Sequence, residues 1–100
     1  MSFSNLSSVT KTADAAAISG RTRVVGIYFT CTGTGSSFSL KNGSTSGGTA
    51  LVTINTPAAA GGHDIHIPDM GVLFDLGVFI DVADANVTSV TLFFEGGAAA

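Results

Sequence analysis

The sequence predicts an all-β protein, a single-domain antiparallel β-sandwich or jelly roll of about eight short strands. Three observations lead to this prediction. Apolar and polar residues alternate with a period of two, which places successive side chains on opposite faces of a strand. Glycine, proline and asparagine recur at spacings near ten residues, as turns do in sandwiches and barrels. No segment of ten residues reads convincingly as a helix.

The first third of the chain contains the strand expected at the centre of a sheet. Residues 1–12 alternate loosely and are predicted to form an N-terminal arm or an edge strand. Residues 15–18 have helical propensity, but the run before Gly20 is too short for a stable helix, so a short strand is preferred and a helix is the alternative. Thr22–Cys31 is apolar on both faces, which indicates a central strand. Gly26 within it suggests a β-bulge or the close approach of another backbone.

The middle of the chain predicts a hairpin followed by a third strand. Phe38 and Leu40 share one face of a strand, and Asn42-Gly43 supplies the positive φ angles of a tight turn. Residues 49–55 alternate again and form the second arm of the hairpin. Residues 63–67 repeat the pattern.

The last third continues the sandwich. Pro68–Gly71 is predicted to form a type I turn, and residues 87–95 alternate as a long closing strand. The sandwich is therefore assigned to residues 13–95, and residues 96–100 are predicted to be a flexible tail. The positions predicted to face the core are Val25, Ile27, Phe29, Phe38, Leu40, Val52, Ile54, Ile65, Ile67, Leu73, Val78, Ile80, Val90, Leu92 and Phe94.

The composition favours a subunit of an assembly. Charged residues make up 11% of the 100 residues, against about 25% in an average domain. A weakly charged surface loses much of the repulsion that keeps proteins apart, so a homo-oligomer is expected. The net charge of -3 and four scattered basic residues argue against nucleic acid as a partner. No apolar run approaches a membrane-spanning length, and no signal peptide is visible, so no membrane partner is expected.

The residues with reactive side chains predict no catalytic, cofactor or metal site. The glycine-rich loop over residues 43–49 lacks the lysine of a phosphate loop and lies between two strands, which favours a hairpin loop. Asp64 and His66 share one strand face, but His63 lies on the other, and two ligands are too few for zinc. A trimer could bring three copies of His66 together. The single Cys31 is predicted to be an inert core thiol.

The polar turn around residues 81–86 is a second candidate for a metal site. Asp81, Asp84 and Asn86 could offer oxygen ligands to a hard cation, but their spacing is not that of a calcium loop. Aspartate and asparagine are ordinary turn residues, which is the preferred interpretation.

Several apolar side chains lie away from the predicted core. Tyr28, Phe79 and Phe93 fall on the opposite strand faces, so either both sheet faces are covered or these aromatics form a docking patch. The N-terminal arm could add a strand to the sheet edge of a neighbour. The residues predicted to dock a partner are Ser2, Phe3, Leu6, Val9, Tyr28 and Phe79.

Several local patterns carry a family resemblance. They are Gly-Ile-Tyr-Phe at residues 26–29, the Lys-Asn-Gly hairpin at 41–48, Thr-Ile-Asn-Thr-Pro at 53–57, Ile-Pro-Asp-Met-Gly-Val-Leu-Phe at 67–74 and a closing Val-x-Ile-Asp-Val strand. Over residues 22–94 the chain resembles the small β-sandwich virion proteins of tailed bacteriophages, cyanophages included.

The resemblance implies a non-enzymatic structural role in the virion. The implied function is a capsid decoration or cement protein that docks on the assembled head, with the major capsid protein or other virion proteins as partners. The alternative is a tail or fibre accessory protein or receptor-binding module. Either would be made in the cytoplasm of the host bacterium, and neither implies a catalytic residue.

Overall fold

The computed structural model describes residues 6–100, and every regular element in that range is a β-strand. No helix within this range is long and apolar enough to cross a membrane. The strands are β1 (Ser7–Lys11), β2 (Ala15–Ser19), β3 (Thr22–Cys31), β4 (Ser37–Asn42), β5 (Thr49–Asn55), β6 (Gly61–His66), β7 (Val72–Phe74), β8 (Gly77–Val82), β9 (Val87–Glu95) and β10 (Ala98–Ala99).

The strands form two antiparallel sheets with nested pairing. The first sheet has the order β1-β9-β3-β6, with β7 also paired to β3, and the second has the order β10-β2-β8-β4-β5. Early strands therefore pair with late ones: β1 with β9, β2 with β8, β3 with β6 and β4 with β5. This is the arrangement of a jelly roll, in which one long hairpin is folded over into two sheets. The predicted fold class is confirmed.

The core lies between the two sheets. Phe29 of β3 contacts Phe38 of β4 edge to face, with ring centroids 5.3 Å apart, and this contact joins the sheets. Most predicted inward positions are buried. The buried apolar side chains are Ala17, Ile18, Val24, Ile27, Phe29, Cys31, Phe38, Leu40, Phe74, Val78, Ile80, Val87, Val90, Leu92 and Phe94.

A β-bulge in β3 changes which residues face the core. The register with β9 shifts between Val24 and Gly26, which confirms the predicted bulge. Because one extra residue is inserted, the side-chain alternation reverses across it. Val24 is therefore buried, whereas Val25 is half-buried, so the inward prediction for Val25 was wrong. Phe74 is buried opposite Thr22, whereas Leu73, opposite Arg23, is half-buried, so the inward prediction for Leu73 was also wrong.

Strands β6 and β7 form one interrupted edge beside β3. Between them the chain makes a tight turn in which the Gly71 N–H donates to the Pro68 carbonyl at 3.2 Å. The φ angles of Asp69 and Met70 are +58° and +68°, which are those of a type I′ turn and not of the predicted type I. A Cβ added at Gly71 would collide with the Val24 carbonyl, so this turn requires glycine there.

Both ends of the described chain join sheet edges. Strand β1 covers residues 7–11 of the predicted arm and forms an edge of the first sheet. Residues 96–100, predicted to be a flexible tail, instead include β10, which pairs with β2. Gly96 and Gly97 both have positive φ angles, which turn the chain from the first sheet to the second.

Candidate docking surface

The outer face of the first sheet has a hollow above Gly26. Gly26 lies on β3 between Phe93 of β9 and His66 of β6, where it contributes no side chain to fill the space. The cavity has a volume of about 280 Å³. We call it the Gly26 hollow, and the residues around it include Leu6, Val25, Asp64, Ile65, His66 and Phe93.

The hollow follows from local irregularities in two neighbouring strands. The bulge displaces Val25 from the regular face of β3, and the break between β6 and β7 lies opposite it, where the Ile67 N–H donates to the Val25 carbonyl at 3.0 Å. A Cβ added at Gly26 would meet Phe93 at 3.4 Å and the Ile65 carbonyl at 3.6 Å, which are ordinary contacts. Packing therefore does not require glycine at this position.

The size of the hollow indicates what it could hold. Pockets for drug-sized ligands measure about 300–1,000 Å³, so the hollow is at or below the lower limit. Its lining is largely apolar, with Leu6 and Phe93 among the lining residues. It therefore suits one apolar side chain of a partner protein.

The polar groups beside the hollow come from β6. Asp64 and His66 both line it, whereas the His63 ring packs against Phe29 with centroids 5.3 Å apart. This confirms that the two histidines lie on opposite faces. Within residues 6–100 no cluster of three or more histidine, cysteine, aspartate or glutamate side chains could hold a metal ion.

The predicted docking residues do not share one surface. Leu6 is 48% exposed beside the hollow, and Tyr28 is 40% exposed on the same strand as Gly26. Val9 is half-buried against the core instead. Phe79 alternates with buried Val78 and Ile80, which places it on the outer face of the second sheet.

Two further predicted docking residues, Ser2 and Phe3, lie outside the residues that the structure describes. Phe93 was predicted to lie away from the core, but not to lie beside Gly26. A glycine inside an otherwise bulky two-sided strand was the available signal for the hollow.

On the outer face of the second sheet, the charged side chains contact other groups of the same chain. Phe79 lies between Ala16 and Lys41 on neighbouring strands. The Lys41 ammonium contacts the Asp81 carboxylate at 2.6 Å and donates to the Ser46 carbonyl at 2.8 Å. The charged groups on this face are therefore already paired.

The acidic turn after β8 is also held by hydrogen bonds within the chain. The Asp84 carboxylate accepts from the Asn86 N–H at 2.9 Å and from the Ser36 hydroxyl at 2.8 Å. These two bonds hold the pKa of Asp84 below its ordinary value. The Asn86 side-chain oxygen accepts from the Thr32 hydroxyl at 2.7 Å. Of the oxygens considered as cation ligands, those of Asp84 and Asn86 thus fix the turn, and Asp81 is paired with Lys41.

Two other predictions concern single features. The glycine-rich segment joins β4 directly to β5, which confirms the hairpin. Cys31 is 5% exposed, and its thiol lies 3.4 Å from the Ala59 carbonyl, which confirms a core position.

Comparisons with known proteins add a structural likeness. No protein-family profile matches the chain, and no curated protein matches it. The coat protein of Tobacco streak virus is similar in structure, with a TM-score of 0.41 and 10% identity, over 98% of this chain and 90% of that one. A likeness at this level carries no argument about function. The fold assignment accordingly depends on the strand pairing alone.

Proposed function

We propose that the chain is a non-enzymatic structural protein of a bacteriophage particle, a capsid decoration or cement protein that docks on the assembled head. The observation that carries this proposal is the outer face of the first sheet. There Leu6 is exposed beside the Gly26 hollow, and Tyr28 is exposed further along β3. Exposed apolar side chains beside a pocket are typical of protein interfaces.

The docking mechanism follows from the chemistry of this face. An apolar side chain of the major capsid protein enters the Gly26 hollow, and Leu6 and Tyr28 cover the surface around it. A stable contact of this kind buries on the order of 1,000 Å² or more. Because few charges take part, we expect binding to change little with salt concentration.

The stabilising effect on the head is one of mass action. A protein that binds the assembled lattice and not its free subunits shifts the equilibrium towards the lattice. The resemblance to tailed-phage virion proteins and the ion-poor composition support this role. The protein would be made in the bacterial cytoplasm and would then reside in the virion.

A sedimentation experiment tests the proposal. Purified chain is mixed with heads of the phage that encodes it, before and after head expansion, and the pellet is assayed for bound protein. We expect saturable, stoichiometric binding to expanded heads that persists at about 0.5 M salt. A chain that stays in the supernatant at all concentrations would contradict the proposal, as would binding to isolated tails and not to heads.

A further inference from the structure

Three of the sheet edges in the described part of the chain are protected. Strand β1 ends in Lys11, and β10 is two residues long. Strand β6 has three ionisable side chains, and the type I′ turn separates it from β7. Charges, short strands and interruptions are the usual devices that prevent an edge from pairing with another chain.

Strand β5 lacks these devices along most of its length. It spans seven residues, Thr49–Asn55, with no ionisable side chain and no proline. It pairs with β4 on one side, and no other described strand lies on its second side. A register shift at Leu51 leaves residues 52–55 as its regular part. This edge therefore presents backbone donors and acceptors that fit an extended strand.

The side chains of β5 indicate that an added strand would cover apolar surface. Val52 and Ile54 face the core but are half-buried, although equivalent residues on β4 are fully buried. Leu51 is 43% exposed. A strand placed beside β5 would shield the two inward residues from solvent.

We propose that β5 pairs in antiparallel fashion with β5 of a second copy, across a two-fold axis at Thr53. A two-fold pairing places two copies of the same segment side by side, and a charge on or beside the axis then lies close to its own copy. Strand β5 has none, whereas self-pairing of β6 would bring together two sets of His63, Asp64 and His66. The absence of charge on β5 thus fits a second copy of the same chain.

The register follows from the alternation of faces. At the axis Thr53 lies opposite the partner's Thr53 on the outer face. On either side of it Val52 lies opposite the partner's Ile54 on the inner face. Threonine pairs and pairs of β-branched residues are both favourable across antiparallel strands. The second sheet of one copy and the second sheet of the other thereby form one continuous sheet.

This inference goes beyond the proposed function, because the pairing needs no capsid. A two-fold interface closes at a dimer and not at the trimer considered from the sequence. Oligomeric state in solution and binding to heads are separate measurements, so one proposal can fail while the other holds.

A charge-swap experiment tests the pairing. The substitutions Thr53→Lys and Thr53→Glu each place like charges across the axis, and Thr53 is exposed, so the fold should tolerate both. We expect sedimentation equilibrium to give a dimer of the 10.0 kDa wild-type chain. Each variant alone should raise the dimer dissociation constant at least about tenfold. An equimolar mixture of the two should restore the dimer, because opposite charges then meet.

The matched controls are Thr10→Lys and Thr10→Glu. Thr10 is also an exposed threonine on an edge strand, and it shares a hydroxyl contact with a neighbouring strand, as Thr53 does. These controls should dimerise as the wild type does. A monomeric or trimeric wild type would overturn the proposal. It would also be overturned by Thr53 variants that dimerise normally, or by a mixture that fails to recover the dimer while circular dichroism shows a folded chain.

Discussion

The two outer faces of the sandwich differ in how their side chains are partnered. On the second sheet, Lys41 is held by Asp81 and by a loop carbonyl, and Phe79 lies beside the lysine. On the first sheet, the bulge in β3 opens the Gly26 hollow, and Tyr28 is exposed on the same strand. The charged side chains on the outer face of the second sheet are paired within the chain, whereas the outer face of the first sheet has space for a side chain of a partner.

This difference shows that two sheets sharing one core can have different roles. The second sheet leaves an edge available at β5, whereas the first sheet, with its bulge at Gly26, leaves a face available. Docking through a face suits an apolar anchor side chain, and docking through an edge suits a strand.

The largest effect is expected in the core that both sheets share. Phe38→Ala removes the ring that contacts Phe29 and should lower the free energy of unfolding by about 3–5 kcal/mol. Urea denaturation measures the change. Phe79→Ala is the matched control on the outer face of the second sheet and should cost less than half as much. Equal losses would mean that Phe79 belongs to the core.

The next largest loss of stability is expected for substitutions beside the bulge in β3. Val24→Ala should lower the free energy of unfolding by about 2–3 kcal/mol, because Val24 is fully buried. Val25→Ala, one residue further on, should cost clearly less, since Val25 is half-buried. The urea midpoints of the two variants check this order of stability, provided that their unfolding free energies depend on urea with the same slope. The reverse ranking would place the register shift elsewhere.

Filling the hollow should affect docking and not folding. Gly26→Val adds a methyl-bearing side chain where a Cβ meets only ordinary contacts, and valine favours strands. We expect at least about tenfold weaker binding to phage heads, with stability within about 1 kcal/mol of wild type.

Gly26→Ala, which fills less of the space, should weaken head binding by a smaller factor. Tyr28→Ala should weaken binding as well, and Phe79→Ala should leave it unchanged. Undiminished binding of Gly26→Val would remove the hollow from the docking surface.

The ion pair on the second sheet should contribute modestly to the free energy of unfolding. Lys41→Met removes the contact with Asp81, whose side chain is 27% exposed, and should cost up to about 1 kcal/mol. Part of this cost should disappear at about 1 M salt, where screening weakens the wild-type pair. A loss that does not depend on salt would point to the packing of the lysine stem instead.

The smallest effect is expected for the contribution of Asp84 to stability at low pH. Its pKa is lowered by the Asn86 N–H and the Ser36 hydroxyl, so the charged form stabilises the fold. This contribution is present above the ordinary aspartate pKa of about 3.9 and is lost as the pH falls through the folded-state pKa. Thermal unfolding of Asp84→Asn should therefore vary less with pH below about 4 than that of wild type.

Ser36→Ala removes one of the two donors to Asp84, so its acid dependence should lie between those of wild type and Asp84→Asn. Identical pH profiles for all three proteins would show that these hydrogen bonds do not favour the charged form.

Much of the fold could be predicted from local patterns. Thr22–Cys31 was predicted with the bounds that the structure gives it, because apolar residues on both faces mark a central strand. The β4–β5 hairpin was predictable from its glycine-rich connection. The tight turn predicted at Asn42-Gly43 was wrong, because the loop spans residues 43–48 and Asn42 does not have the positive φ angle of such a turn. The bulge at Gly26 was also foreseen, but its consequence for Val25 was not, since a bulge fixes a face only once the partner strand is known.

The docking surface could not be predicted in the same way. The Gly26 hollow requires residues from β3, β6 and β9 side by side, and their order in the sheet is set by contacts distant in sequence. Tyr28 and Phe79 were grouped because both oppose the core, yet they lie on opposite sides of the sandwich. The strand at residues 98–99 was missed because two alanines carry no periodic signal.

The nested pairing has a consequence for biosynthesis. Ser7 is aligned with Phe94, so β1 cannot pair with β9 until residue 94 has left the ribosome. Among the strands of residues 6–100, β4 and β5 are the pair that follow each other directly along the chain, so their hairpin can close early. Folding should then proceed outward from that hairpin, and topologies dominated by distant contacts are slow to form.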